Sequence, residues 1–152
     1  MNSLKKIKIS FYVFFVLISG VCIGIISYFI STEAPLTKGE VLYDLAFNEE
    51  QKLDLYFPTR DVFEERPILF YIHGGAWIGG TKEAINLNRF NGAINGLRDS
   101  GYVIVSPNYT LAEFGKTPFP VNIADCYDAI QWIKTQADVY SLDTNRIGIL
   151  GE

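Results

Sequence analysis

Cysteine and histidine are scarce in this chain of 152 residues, which has two cysteines and a single histidine. Two cysteines cannot build the disulfide framework of a small secreted domain. Cys22 lies in a long apolar run and Cys126 in a predicted helix, so no disulfide between them is expected. The length allows one ordinary domain, and the sequence therefore predicts a single domain without a disulfide.

Acidic residues are absent from the first 32 positions, where the only basic residues are Lys5, Lys6 and Lys8. The remaining ten basic residues (13 − 3) are outnumbered by all 17 acidic residues, so the charge beyond position 31 is −7 (10 − 17). A domain with that charge has no basic surface for nucleic acid. Nucleic-acid binding is therefore excluded as a function of this domain.

No charged residue occurs between Ile9 and Thr32. A helix of this length spans about 36 Å, which exceeds the hydrocarbon core of a bilayer. Because the lysines precede the run, the positive-inside rule predicts a cytoplasmic N-terminus at residues 1–8 and a transmembrane signal anchor at 9–32. A linker at 33–39 and the domain at 40–152 follow on the extracytoplasmic side. A cleavable signal peptide is the alternative, but its apolar core is usually about 7–15 residues long.

The globular part begins with two short alternating segments, Val41–Phe47 and Lys52–Phe57, which predict an antiparallel hairpin. Three unbroken apolar runs follow at Pro67–Ile72, Tyr102–Ser106 and Arg146–Leu150. Runs without alternation are typical of strands buried on both faces of a parallel sheet. The class predicted is α/β.

Two helices are predicted between these strands. The first covers Asn86–Ser100, with Gly101 as its C-terminal cap. The second begins at Phe119-Pro120 and ends near Asp138, and its predicted core stripe is Ile123, Tyr127, Ile130 and Ile133. A turn is predicted at 142–145, before the last strand.

His73, Gly74, Gly75, Ala76 and Trp77 follow directly on the strand that ends at Ile72. Adjacent glycines allow a sharp turn in which backbone N–H groups leave the sheet ladder. Such groups can stabilise the oxyanion of a tetrahedral intermediate, as HGGG-type loops do in esterases. By itself, however, the motif is also compatible with an ordinary turn.

Five sequence blocks accompany this motif in a fixed order: LDLYFP (53–58), PILFYIHGGAWIGGTKE (67–83), GYVIVSPNYTL (101–111), TPFPVNIADCYDAIQWIK (117–134) and NRIGILGE (145–152). With them the chain resembles the esterase/lipase branch of the α/β-hydrolases, in particular the acetyl esterase and feruloyl-esterase-like groups. The resemblance covers about residues 40 to 152. It implies an α/β-hydrolase fold, here an antiparallel hairpin and then a mostly parallel sheet with flanking helices, preceded by one transmembrane helix. It implies no metal and no organic cofactor.

The resemblance also implies roles for the loop residues. The N–H groups of Gly75 and Ala76 are the expected oxyanion donors, and Gly74 shapes the turn. His73 is expected to brace the loop through a hydrogen bond and not to act as the base, because the base follows the nucleophile in this fold. Trp77 either lines the pocket or packs within the loop.

The last two residues, Gly151 and Glu152, resemble the start of a Gly-x-Ser-x-Gly elbow. The nucleophilic serine is then expected directly after Glu152, with the acidic and histidine partners later in the chain. On this view the 152 residues are the N-terminal part of a longer hydrolase and inactive by themselves.

Three further positions carry expectations from the resemblance. Asp125 is expected to be a brace near the elbow, and Asp128 a solvated helix residue. Thr110 replaces an arginine of the usual pattern, so a contact that braces the following loop is expected to be lost.

The function expected is hydrolysis of small acyl or acetyl esters by a serine nucleophile. Amide hydrolysis is the first alternative. A hydrolase-like domain that has lost its chemistry and binds partners at the surface is the second. The residue after Glu152 distinguishes the enzyme from the binding domain.

Overall fold

The globular part is built on one five-stranded sheet in a computed structural model that describes residues 3–30, 39–87 and 89–152. In chain order the elements are α1 (Ser3–Ile30), β1 (Val41–Ala46), β2 (Lys52–Tyr56), β3 (Arg66–Ile72), a 3₁₀ turn (Lys82–Asn86), α2 (Asn91–Asp99), β4 (Val103–Pro107), α3 (Val121–Thr135), α4 (Ala137–Tyr140) and β5 (Leu142–Gly151).

The strand order is β1-β2-β4-β3-β5. β1 and β2 are antiparallel to their neighbours, whereas β3 is parallel to both β4 and β5. The predicted hairpin followed by a mostly parallel sheet is therefore confirmed. All of β4 is buried, as its unbroken apolar run predicts.

Parallel strands place their carboxyl ends at one edge of the sheet. His73, Asn108 and Glu152 directly follow β3, β4 and β5 and so mark this edge. The chain enters β1 at the opposite edge, because Val41 pairs with Tyr56 and Tyr56 pairs with Ile104 near the start of β4.

Each face of the sheet has its own core. Successive side chains of a strand point to opposite faces, and accordingly Leu53 and Leu55 join Ile133 of α3, whereas Tyr56 joins Ile94 of α2. Helices thus cover both faces of the sheet.

The apolar stripe predicted for α3 is correct only in its second half, where Ile130 and Ile133 pack against the core. Ile133 is buried, but Ile123 and Tyr127 are exposed, and the other core-facing residues of the helix are Asn122, Asp125 and Ala129. Asp125 occupies the buried face because it accepts hydrogen bonds from the loop that follows β4. The displaced apolar residues border a cavity instead.

The helix predicted at 86–100 is shorter than expected. Leu87 has extended backbone angles and separates the 3₁₀ turn from α2, while Asn88 lies outside the described residues. The C-terminal cap is confirmed: Gly101 has φ +92°, and the amide of Tyr102 donates to the carbonyl of Leu97 over 3.1 Å, which is a Schellman closure.

The turn predicted at 142–145 belongs to β5. Leu142 and Asp143 pair with Arg66 and Pro67, and the register then shifts so that Ile147 pairs with Ile68. The residues between form an irregularity, in which the amide of Asn145 donates to the Asp143 carboxylate over 2.9 Å. The polar composition that suggested a turn here marks this irregularity in the strand.

Helix α1 is long and apolar enough to cross a membrane over Lys8–Phe29, and none of that stretch is buried against the domain. This agrees with the predicted span at 9–32 except for residues 31 and 32, which lie outside the described residues. Most of the predicted linker, 33–38, also lies outside them.

Candidate active site: the glycine-rich loop after strand β3

The glycine-rich loop, defined here as residues 73–82, has no room for side chains at two of its glycines. Gly75 has φ +125°, and a Cβ there would lie 2.1 Å from the carbonyl oxygen of Gly79. Gly80 has φ +93°, and its Cβ would lie 2.3 Å from the carbonyl oxygen of Gly74. Only glycine fits either position.

Two non-glycine residues of the loop are held in the left-handed region. Ala76 has φ +53° and Trp77 has φ +61°, a conformation that costs about 1–2 kcal/mol per residue. The turn is closed by the amides of Ile78 and Gly79, which donate to the carbonyl of Gly75 over 3.0 and 3.2 Å. Strain of this kind concentrates at functional sites.

The amides of Gly75 and Ala76 donate to no protein acceptor within the part of the chain that the structure describes. Backbone N–H groups without a partner at the edge of a sheet are available to an external acceptor. Both predicted oxyanion donors thus lie side by side on one strained turn.

His73 is buried at the start of the loop. Its Nδ1 lies 2.9 Å from the Gly74 carbonyl oxygen, and its ring stacks on Tyr109 with the ring centres 4.2 Å apart. The Tyr109 hydroxyl donates to the His73 carbonyl over 2.6 Å. Burial lowers the pKa of His73, so the ring is neutral and its Nδ1–H donates to Gly74.

The end of β5 lies against this loop. Gly151 pairs with Ile72, and the Glu152 amide donates to the Ile72 carbonyl over 3.2 Å. The Glu152 carboxylate accepts a hydrogen bond from the Tyr71 hydroxyl over 3.0 Å and forms an ion pair with Arg89. The predicted start of the elbow and the predicted oxyanion loop are therefore neighbours.

A cavity of about 540 Å³ opens beside these residues. Trp77, which is 61% exposed, is part of its lining, together with Ile123 and Tyr127 of α3. Cys126 also lines the cavity and is only partly buried, and burial raises the pKa of its thiol to about 11. The walls are mainly apolar and aromatic, as in binding sites for small organic molecules.

Asp125 holds the loop that follows β4. Its carboxylate accepts hydrogen bonds from the amide and the hydroxyl of Thr110, over 2.8 and 2.6 Å, and from the Asn48 side chain over 3.3 Å. The expectation that the threonine loses a bracing contact is wrong, because the hydroxyl and the carboxylate bond directly. Asp128 is exposed, as expected.

Sequence reasoning missed one polar cluster beneath the loop, formed by Lys82 and Asp54. The Lys82 ammonium lies 2.8 Å from the Asp54 carboxylate, and both side chains are buried. Asp54 is the sequence feature that could have indicated this cluster, because it is a single charge inside the otherwise apolar strand segment LDLYF.

The comparisons with known proteins agree with this architecture. The sequence profile of the BD-FAE family matches residues 53–152, which is most of the chain. The chain belongs to the BD-FAE family. It is thus a member of the esterase/lipase branch of the α/β-hydrolases, as the sequence blocks indicate.

The individual proteins that the chain resembles carry the names of hydrolases. Bovine (Bos taurus) arylacetamide deacetylase is 32% identical over 114 residues, which cover 74% of this chain and 27% of the relative. Among solved structures, the bacterial heroin esterase superposes with a TM-score of 0.60 at 26% identity, over 89% of this chain and 40% of the other. The esterase of the archaeon Pyrobaculum calidifontis gives 0.61 at 28% identity, over 80% and 36%. The chain therefore spans about a quarter of the bovine relative.

Proposed function

We propose that the glycine-rich loop binds the oxyanion in a serine-dependent hydrolysis of carboxylic esters. The observation that carries this proposal is that the amides of Gly75 and Ala76, at the carboxyl edge of the sheet, have no protein acceptor among the described residues. In the reaction the serine oxygen attacks the ester carbonyl, and the carbonyl oxygen becomes an anion. Each preorganised N–H directed at that anion lowers the barrier by about 3 kcal/mol.

The nucleophile belongs, in this proposal, directly after Glu152. The Glu152 amide donates to the Ile72 carbonyl and the Glu152 side chain lies near Gly74, which supports a position for the next residue close to the glycine-rich loop. His73 keeps the role of a brace, since its Nδ1 is engaged by Gly74 and its ring by Tyr109. The base and its acidic partner then come from another part of the full protein.

Small acyl or acetyl esters are the proposed substrates, and two features support apolar or aromatic alcohol groups. The cavity beside the loop is lined by Trp77 and Tyr127, whose rings favour flat apolar groups. The related arylacetamide deacetylase is named for an aromatic amide. Amide hydrolysis is therefore the second candidate, because the same oxyanion loop serves an amide carbonyl.

The test uses protein expressed from its complete natural reading frame. We expect it to hydrolyse p-nitrophenyl acetate faster than acetanilide, and a serine-directed phosphonate to abolish both activities. The 152 residues expressed alone are the control, and they are expected to be inactive because the proposed nucleophile follows Glu152. Faster hydrolysis of acetanilide than of p-nitrophenyl acetate would favour amide hydrolysis as the function. If the phosphonate leaves hydrolysis unaffected, the serine mechanism is wrong.

We also propose that α1 anchors the domain to a membrane, with residues 1–8 in the cytoplasm and the domain on the other side. The lysines at the start of the helix and its apolar length support this orientation. Protease added to the extracytoplasmic side of sealed membrane vesicles that carry the protein should degrade the domain and leave an N-terminal tag on residue 1 intact. If the domain is protected and the tag is degraded, the orientation is opposite to the one proposed.

A further inference from the structure

Lys82 presents an unusual charge at the far end of the glycine-rich loop. Its side chain is 3% exposed, and its ammonium contacts Asp54 at 2.8 Å, Glu83 at 2.7 Å and Asp44 at 3.2 Å. Burial alone would lower the pKa of Lys82, but the hydrogen bonds to Asp54 and Glu83 outweigh it, so the pKa is raised and the group stays charged. A buried ion pair is weak evidence for stability, because desolvation offsets its attraction.

The backbone of the same residue is tied to the end of β4. The Lys82 amide donates to the Asn108 side chain over 2.8 Å, and the Ser106 hydroxyl donates to the Lys82 carbonyl over 2.7 Å. Since Asp54 belongs to β2, residue 82 is bonded to two strands of the sheet at once. The returning end of the loop, residues 80–82, therefore has a defined position relative to the sheet.

Gly80 connects residue 82 to the turn at Gly75, because its backbone packs against that turn. The backbone at Gly80 packs so closely on the turn that an added Cβ would lie 2.3 Å from the Gly74 carbonyl oxygen and 2.6 Å from His73 Nδ1. Gly80 is two residues from Lys82. A displacement of residue 82 would therefore move the backbone against which the turn at Gly75 rests.

We propose that Lys82 is a positioning residue for ester hydrolysis: its ammonium, held by Asp54, fixes the returning end of the glycine-rich loop and so the direction of the Gly75 and Ala76 amides. This inference rests on the proposed function of those amides. Lys82 does not line the cavity, so it acts through the loop and not on the substrate. A misplacement of about 1 Å in such a site costs on the order of 100-fold in rate.

The test separates positioning from stability with a neutral pair, Lys82→Met combined with Asp54→Asn. Lys82→Met alone leaves the Asp54 carboxylate buried without its counter-ion and is expected to lower Tm. The neutral pair removes both charges and is expected to recover most of that loss. Lys134→Met is the matched surface control, because Lys134 is exposed in the last turn of α3. Ile133→Val, on the opposite face, is the control for lost stability alone.

Two quantities are measured in protein from the complete natural reading frame, at a temperature at which every variant is folded. For the neutral pair we expect kcat for p-nitrophenyl acetate to fall about 10- to 100-fold, with KM changed by less than about threefold. We also expect faster amide hydrogen exchange in peptides covering residues 74–80. Both controls should keep the wild-type kcat and exchange rate.

The two proposals fail in different ways. If kcat and exchange in the neutral pair return to wild-type values together with Tm, Lys82 is structural only and the inference is wrong. If the wild-type protein shows no phosphonate-sensitive hydrolysis, the proposed function is wrong. In that case the exchange of residues 74–80 alone decides whether Lys82 positions the loop.

Discussion

Two adjacent loops differ in how closely they are held: the glycine-rich loop, which lines the cavity, and the loop at 112–117, which contacts the first loop at Trp77. In the glycine-rich loop, a Cβ at Gly75 or Gly80 would overlap neighbouring backbone. In the loop at 112–117, Gly115 also has a positive φ, of +75°, yet no atom lies within 4 Å of the position of its Cβ. Phe114 in that loop is fully exposed. The turn at Gly75 and Gly80 thus packs tightly on its own backbone, whereas the 112–117 loop contacts it through the Ala112 amide, which donates to the Trp77 carbonyl over 2.6 Å.

This difference corresponds to two tasks that a hydrolase must combine. Stabilising a developing charge requires donors that need no rearrangement during the reaction. Accepting substrates of various shapes does not need such rigidity, and loops of low contact density can adapt. We therefore expect changes in the glycine-rich loop to affect kcat and changes in the 112–117 loop to affect mainly KM.

The largest effect is expected for Gly75→Ala. The added Cβ would lie 2.1 Å from the Gly79 carbonyl oxygen at a φ of +125°, so the turn must shift and the amides lose their direction. We expect kcat for p-nitrophenyl acetate to fall by more than about 100-fold. Gly79→Ala is the matched control, because nothing lies within 4 Å of that Cβ. Similar activity in both variants would contradict the role of the close packing at Gly75 in directing the amides.

Asp125→Ala tests the contact that joins α3 to the loop after β4. The change leaves the amide and hydroxyl of Thr110 without their acceptor. We expect the free energy of unfolding to fall by about 3 kcal/mol, measured by urea denaturation. Asp128→Ala, one turn further along the exposed face, should change it by less than about 0.5 kcal/mol. Equal effects would mean that the Thr110 bonds contribute nothing.

His73 should make stability depend on pH in a narrow window. Burial lowers its pKa in the folded state, so the unfolded chain binds the proton more readily. The stabilisation is therefore complete above the unfolded pKa of about 6.5 and is lost as pH falls below it. Between pH 7.5 and 5.5, wild-type protein should lose up to about 1.4 kcal/mol more unfolding free energy than His73→Asn. Parallel pH profiles for the two proteins would contradict a neutral, buried histidine.

The smallest effect is expected for Phe114→Ser in the 112–117 loop. The ring is fully exposed, so its removal should leave Tm within about 1 °C and kcat unchanged. Any change is expected in KM alone, and KM for esters with aromatic alcohol groups is therefore the quantity to measure. A drop in kcat as large as that of Gly75→Ala would show that the second loop is as important for positioning as the first.

Strands were predicted better than helix faces in this chain. β3 and β4 are unbroken apolar runs that can only be buried on both sides, and the structure places both at the centre of the sheet. The face of α3 could not be predicted in the same way. Its buried side carries Asp125, whose hydrogen bonds to Thr110 depend on a fold contact across 15 residues of sequence.

The predicted loop residues illustrate the same limit. Periodicity and the glycine pair located the turn at 73–77, and the resemblance supplied roles for its residues. The left-handed angles of Ala76 and Trp77 could not be read from their side chains, because non-glycine residues rarely adopt them. Lys82 was missed because a lysine in a loop is usually solvated, and only the fold brings Asp54 beneath it.

The place where the chain enters the sheet has a mechanical consequence. Residues 39–41 lie at the sheet edge opposite the glycine-rich loop, and β1 pairs with β2 alone among the described strands. A force transmitted through α1 would load the β1–β2 hydrogen bonds first, while β3, with β2 and β4 between, would carry load only after β1 had detached. Two strands, β2 and β4, thus separate the strand that would bear tension from the N-terminal tether from the strand that carries the glycine-rich loop.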